Sequence, residues 1–478
     1  MKLKNQAKWI LVLILAAGCS NNKQLSHSDI LNDQNDQLIR ADLELRKAVL
    51  VRDETGAPLA NAEVLIGQSA NTPFPNNTLT TNTNGEFAIP SGWTQELPVT
   101  ISKQGFIRTT YLKQTPTAQI FDVRHRKKTE RYEAKGSISG FGQMPSDGFI
   151  DFGLAISTLT ASEALNFDIT QLISEKFDTI SVMGQELDIP TNIFLPKQKE
   201  SYSFIPVTVE KAFYRLFFDF QGAFKVQANR GKFDFKKVAD KLKAGQSYFE
   251  VVNDFEFLAL GSKTVNINSP NVALDIDANQ KKLTPKINFT SPIPAKGMLF
   301  GVSLFEEDGK YLPSDIKLRE SKNQKLALPE AAARGTVLLV NADKEQTNKE
   351  EAKLSSSMAT ALVDSQKLDQ GHLLERVAAP TMTASGMKLS KPTLKGNIKG
   401  FATYAALSDI KAERADVSWE IYSPGWIEEI DLPDVNEVRA NQRWQVVFYG
   451  IDSVENKQFN GPKTLNQATH AVHNAVQF

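Results

Sequence analysis

From Leu43 to Leu112 apolar and polar residues alternate in short runs, and turn residues cut each run. Alternation with a period of two puts successive side chains on opposite faces of an extended chain, so this stretch is confined to β-strands. Asn84-Gly85, between Thr78–Thr81 and Phe87–Ile89, is a hairpin signal because both residues accept positive φ. Strand patterns continue from Phe121 to about Asp277: an apolar run, Phe149–Ile156, follows Asp147-Gly148, Leu216–Val226 is rich in Phe, and Lys263–Asn268 and Val272–Asp277 alternate. Ile287–Leu304 and the residues from Tyr311 onward read as strands joined near Asp308-Gly309. Phe401–Leu407, Val417–Tyr422, Trp444–Gly450 and His470–Phe478 close the series. One helix interrupts it near residues 234–244, where Phe235, Val238, Ala239 and Leu242 fall at helical spacing, Asp234 is placed to cap and Gly245 to stop. Its Lys236, Lys237, Lys241 and Lys243 form a basic outer face, expected to be solvated. The expectation is a mainly β chain of two or three sandwich-like domains with one short amphipathic helix.

The 478 residues suffice for about three domains at ~150 residues each. A 41% hydrophobic share argues against global disorder, and the balance of 55 basic against 55 acidic residues gives no footprint for nucleic acid. One Cys excludes a disulfide framework and a cysteine-rich zinc module. The expected order is a signal at 1–18, a polar tether at 19–42, a first β domain at 43–115, a β domain with the helix at 116–280, and a last β domain at 281–478. Residues 341–390, rich in Lys, Glu, Gln, Ser, Thr and Ala without strand alternation, read as a mobile insertion in that last domain.

Lys2, Lys4 and Lys8 precede Trp9–Gly18, an apolar run of ten residues. As a helix it spans ~15 Å, half of a ~30 Å hydrocarbon core, so it suits a signal h-region and not a membrane span. It ends in Leu15-Ala16-Ala17-Gly18-Cys19-Ser20, which resembles the lipobox of bacterial lipoprotein signal peptides. The resemblance implies cleavage before Cys19, diacylation of its thiol and acylation of the new amino terminus, making Cys19 the lipid-bearing residue. Ser20 carries no inner-membrane retention signal, which implies the outer membrane. Several acyl chains are what stable anchoring needs, since each buried CH₂ contributes about 0.8 kcal/mol.

Val51-Arg52-Asp53-Glu54-Thr55-Gly56-Ala57-Pro58-Leu59-Ala60-Asn61-Ala62-Glu63-Val64, with Thr81-Asn82-Thr83-Asn84-Gly85-Glu86-Phe87 and Lys103-Gln104-Gly105-Phe106, resembles carboxypeptidase regulatory-like domains. Val49 stands where that family has Gly, and Asn82 where it has Asp. The resemblance implies a seven-stranded, transthyretin-like β-sandwich that serves as an accessory module without an active site.

The catalytic constellations fail on inspection. There is no His-Glu-x-x-His and no Gly-x-Ser-x-Gly, since Gly136-Ser137-Ile138-Ser139-Gly140 has Ile in the central place. Gly261-Ser262-Lys263-Thr264 lacks the phosphate-loop order, and Gly140-Phe141-Gly142 lacks the third Gly of a dinucleotide fingerprint. Asp275-x-Asp277-x-Asn279 opens like a calcium loop, but Gln280 and Lys286 occupy the positions that need Gly and Glu. His470-x-x-His473 would point to opposite faces of a strand. Glu306-Glu307-Asp308 and Glu428-Glu429-x-Asp431 read as solvated hairpin ends. Trp419, Trp426 and Trp444 with Tyr404, Tyr422 and Tyr449 could stack on sugars or anchor a partner, though core packing accounts for them more simply.

No catalytic, cofactor or metal residues are therefore assigned; Cys19 is the one assigned site, for lipidation. The expected function is a non-catalytic binding, adhesion or scaffolding role for a lipid-anchored protein of the outer membrane, with an envelope protein or glycan as partner. The alternative is an envelope hydrolase acting on glycans or peptides through loop carboxylates.

Overall fold

A computed structural model describes residues 28–126, 131–142, 148–166, 172, 174, 176–182, 185–202, 205–321, 323–348, 351–370, 373–411, 414–433, 442–452 and 458–477. The signal segment and Cys19 lie outside these residues. Strands dominate, in several sheets, and no described helix is long and apolar enough to cross a membrane. Two compact bodies form: one from Leu25–Lys127, Ser356–Ala359 and His372–Phe478, the other from Lys128–Ser355 and Thr360–Gly371.

The first body opens with a helix, Ser28–Arg46, where a solvated tether was expected. The reason is local packing. Ile39 and Leu43, four apart, meet Ala48, Leu50 and Ile120, and Arg52 donates to both oxygens of Asp36 at 2.5 and 2.7 Å. Its other apolar residues include Leu38 and Leu45, which are exposed, so the packed pair does not stand out as an apolar stripe in the sequence.

Seven strands follow: Ala48–Asp53, Glu63–Ile66, Thr78–Thr80, Glu86–Ala88, Leu97–Ser102, Arg108–Gln114 and Ile120–Val123. Ala48–Asp53 lies between Glu86–Ala88, antiparallel, and Ile120–Val123, parallel. The other four pair antiparallel in the order Arg108–Gln114, Leu97–Ser102, Glu63–Ile66, Thr78–Thr80. Val49, Val51, Val64, Ile66, Phe87, Val99, Ile101 and Phe121 are buried. Polar residues of the turn motifs hold the bends. Asp53 Oδ1 accepts from Thr55 N at 2.7 Å, Thr55 Oγ1 at 2.5 Å and Ala57 N at 3.0 Å. Asn82 Oδ1 accepts from Asn84 N at 2.9 Å and Glu86 N at 3.0 Å, so an amide oxygen serves as well as a carboxylate. Gly85 has φ +72°, and a Cβ there would meet Val51 O at 2.4 Å, so no other residue fits. The seventh strand lies beyond residue 115, the expected end of this domain.

The sheet does not stop at the seven-stranded segment. Arg108–Gln114 pairs in parallel with Arg414–Pro424, and Ile398–Lys411, Gln442–Asp452 and His470–Gln477 follow in order. As expected from alternation, Val472 and Val476 pack with Trp444, Val446 and Phe448. Asn474, between them, reaches the carbonyl of Val377.

In the second body seven strands run antiparallel in the order Ile205–Lys211, Ile193–Tyr202, Phe149–Ser157, Gly222–Asp234, Phe255–Ile267, Lys281–Asn288 and Lys325–Pro329. This sheet passes without interruption through residue 280, where a domain boundary was expected. Phe149–Ser157 is buried on both faces, Ile150, Phe152, Leu154 and Ile156 joining one cluster and Ala155 another, which explains its unbroken apolar run. A further set of strands, Met298–Glu307, Lys310–Leu318 and Thr336–Asn348, packs against it. Asp315 and Ser303 finish the free edge of Lys325–Pro329: Asp315 Oδ2 accepts from Ala327 N at 2.9 Å, and Ser303 Oγ donates to Ala327 O at 2.6 Å.

Thr336–Asn348 and Glu351–Asp364 are strands inside the expected 341–390 insertion. Beyond residue 340 their buried positions mix Leu354 and Met358 with the small or polar Asn341, Ala342, Ser355, Ala359, Thr360 and Ala361, so burial follows no hydrophobic alternation. The expected helix forms at Phe235–Lys243. Asp234 Oδ1 accepts from Lys237 N at 3.0 Å, and two of the four lysines hold Asp254, Lys237 at 2.8 Å and Lys241 at 2.6 Å.

Two tests follow from this packing. Glu307 accepts from Lys225 at 2.8 Å, Lys281 at 2.7 Å and Ser262 at 2.6 Å. Burial opposes its ionisation, but these donors outweigh it and hold its carboxyl at about 2. The unfolded carboxyl titrates near 4.5, so the stabilisation is complete above that pH and disappears as pH falls toward 2. Allowing for solvent screening, it is about 1–2 kcal/mol. Glu307→Gln should therefore lower the thermal midpoint at pH 7 and match the wild type near pH 2; a gap that persists at low pH would refute the linkage. Separately, deleting residues 471–478 strips Val472 and Val476 from the core and should lower the midpoint by about 5–10 °C. An unchanged midpoint would contradict the packing.

Candidate functional site

A short three-stranded sheet in the second body carries the clearest outward site. Tyr132–Gly136 pairs antiparallel with Tyr214–Phe218 and parallel with Asn271–Ala273. Tyr214, Leu216 and Phe218 turn inward to the core with Ala134 and Val272. Period two sends Arg215 and Phe217 the other way, with Lys135 opposite Arg215 and Glu133 opposite Phe217, and Phe213 immediately precedes the strand. Phe213 remains 49% exposed. The Lys135 ammonium sits 4.5 Å from its ring centroid, and Lys176 sits 4.2 Å from that of Phe217. Each is a cation over the negative face of a ring.

These residues border a cleft of about 360 Å³ lined by Glu133, Lys135, Asp178, Lys211, Phe213 and Arg215. Arg215 bridges the two carboxylates, meeting Glu133 at 3.3 Å and Asp178 in a shorter contact. Lys211 forms the floor at 5% exposure and donates to the carbonyls of Pro190, Thr191 and Ile193 at 2.8, 3.2 and 2.8 Å. Burial pushes its ammonium down to about 8, opposed by Asp178 at 3.2 Å. Three carbonyls use all three of its N–H donors, so it fixes the wall and offers nothing to a ligand. Lys135, by contrast, makes no ion pair among the described residues.

The two carboxylates here share one guanidinium. Acid–base chemistry needs instead one protonated and one free member. Carboxyls that burial pushes upward occur elsewhere, at Asp151 on the central strand and at Asp315, which serves the strand edge.

The residues singled out in the sequence have structural employment. Asp275 Oδ1 accepts from Ser137 N at 2.7 Å and Oγ at 2.8 Å, tying two distant segments, and Asp277 Oδ1 accepts from Asn279 N at 2.9 Å, capping a turn. His470 and His473 sit at odd spacing on one strand, opposite Gly450 and Val447, and His470 Nδ1 lies 2.8 Å from Thr469 Oγ1. Among the described residues no group of three or more metal-ligating side chains converges. Trp419, Trp444, Tyr422 and Tyr449 are buried. Trp426 donates to Tyr449 O at 2.6 Å, and Glu428 faces Lys391 at 2.6 Å on the surface. Cys19 lies outside the described residues.

Sequence reasoning passed over the cleft. Its signal was the run from Phe213 to Phe218, in which both alternating sets contain aromatics and only the outer set contains a cation.

No protein-family model and no curated protein matches this chain. Among solved structures it is similar to BcpA, the major pilin subunit of Bacillus cereus, at 9% identity and a TM-score of 0.14, over 67% of this chain and 96% of that one. It is also similar to native E. coli alpha-2-macroglobulin at 9% identity and a TM-score of 0.11, over 88% of this chain and 27% of that one. Neither likeness assigns a family or an activity.

Proposed function

We propose that this chain is a lipid-anchored protein of the bacterial outer membrane that binds a partner without transforming it. The observation that carries the binding reading is the outward sheet face, where a half-exposed Phe213 and Lys135, which makes no ion pair among the described residues, adjoin two carboxylates that share Arg215. Large aromatic surface left in water is costly unless something covers it. A hydrolase acting through loop carboxylates would need an acid free of such a guanidinium clamp.

The anchor reading rests on Leu15-Ala16-Ala17-Gly18-Cys19, whose Cys is the only one in the chain. The first domain is read as carboxypeptidase regulatory-like, supported by seven strands in two sheets and by Asp53 and Asn82 capping the motif turns. An accessory module of that kind accords with binding, and fold alone assigns no activity.

Cys19→Ser should leave the protein unprocessed or release it from detergent-soluble envelope fractions, and intact mass of the wild type should show acyl chains on Cys19. A wild-type mass without them would overturn the anchor.

A further inference from the structure

We propose that the Phe213 face binds anionic saccharide chains, an inference that rests on the binding role above and names its ligand class. Three features of the face select that chemistry. The first is an aromatic platform. Phe217 is on the outer side of Tyr214–Phe218 and Phe213 immediately precedes that strand, four residues and at most ~13 Å along the chain from it, a span longer than one sugar ring. Sugar rings offer an apolar C–H face to such surfaces, and the Phe213 ring remains half-exposed beside Lys135.

The second feature is unbalanced positive charge. Lys135 and Lys176 each stand over a ring and neither has a carboxylate partner among the described residues. An acidic substituent on a stacked sugar would meet the ammonium at the ring's side. Lys211 does not compete for it, because backbone carbonyls consume its donors.

The third feature separates a saccharide from an acidic peptide. Glu133 and Asp178, both partly exposed, line the same cleft and keep acceptor capacity beyond what Arg215 uses. They accept hydroxyl donors, which a sugar supplies in number. The side chains of an acidic peptide carry no such hydroxyls to offer them.

The test uses the full-length lipidated protein in detergent, with polygalacturonate as the probe and dextran and poly-glutamate as comparators. Calorimetry should show polygalacturonate binding at least tenfold tighter than either comparator. Phe213→Ala should lose at least tenfold, and Lys135→Gln several-fold with a shallower dependence on salt. Phe213 is on the surface, so an unchanged thermal midpoint will show that the variant is folded. Absence of polygalacturonate binding, equal binding of dextran or poly-glutamate, or an indifferent Phe213→Ala would each overturn the inference. If the wild type fails to bind while its mass shows acylated Cys19, the saccharide inference falls and the anchor reading stands.

Discussion

The ion pair of partly exposed Arg124 with buried Glu420 holds together segments almost three hundred residues apart in sequence. Glu420 is 1% exposed, and Tyr404 and Tyr422 donate to its two oxygens at 2.9 and 3.1 Å. A carboxylate taken out of water at such depth is tolerable only with a cation and full hydrogen bonding. Removing one member of such a pair typically costs about 3–5 kcal/mol, because the other is left charged and alone. Around it the rings of Tyr404, Tyr422, Tyr111 and Phe121 follow one another at centroid distances of 5.1, 5.5 and 4.7 Å. Tyr111 and Phe121 come from the first sandwich, Tyr404 and Tyr422 from the far end of the chain. The parallel pairing of Arg108–Gln114 with Arg414–Pro424 is the backbone counterpart of this cluster. Trp419 Nε1, donating to Thr110 Oγ1 at 2.9 Å, adds a side-chain tie across the same two strands.

That arrangement makes the middle of the chain an insertion. Lys128–Ser355 leaves the first body and belongs to the second. Contacts between distant segments are a property of three-dimensional closure, and a single sequence read along its length encodes them only through residues such as Glu420, whose burial is invisible there.

Local physics was more legible. Asp53, Asn82 and Gly85 announced their turns because the bonds they make are two to four residues long or depend on φ alone. The helix at Phe235–Lys243 was readable from its stripe and from Asp234. The terminal strand was readable from Val472 and Val476. Where burial uses small or polar residues, the pattern vanished. Ser355 and Thr360 are buried and Thr360 donates to Leu165 O at 2.7 Å, yet in the sequence they belong to a hydrophilic tract. The helix Ser28–Arg46 hid for a related reason, because Arg52 reaching Asp36 replaces apolar contact with an ion pair.

The candidate face depends on the same use of buried polar groups. Its wall turns at Thr191 and Asn192, both buried. Asn192 Nδ2 donates to Ala155 O at 3.1 Å and Leu172 O at 2.8 Å, tying the turn to the central strand. Arg215 N donates to Thr191 O at 2.7 Å, and Lys211 gathers the three carbonyls around it. The cleft is therefore shaped by backbone groups whose partners are internal, with Phe213 and Lys135 exposed at it and Glu133, Asp178 and Arg215 partly so. A site held by a rigid wall loses little conformational entropy when a ligand arrives. The polar atoms that obscured this region in the sequence are thus what preorganises it: they fix Arg215 between its carboxylates and keep the aromatic face turned outward.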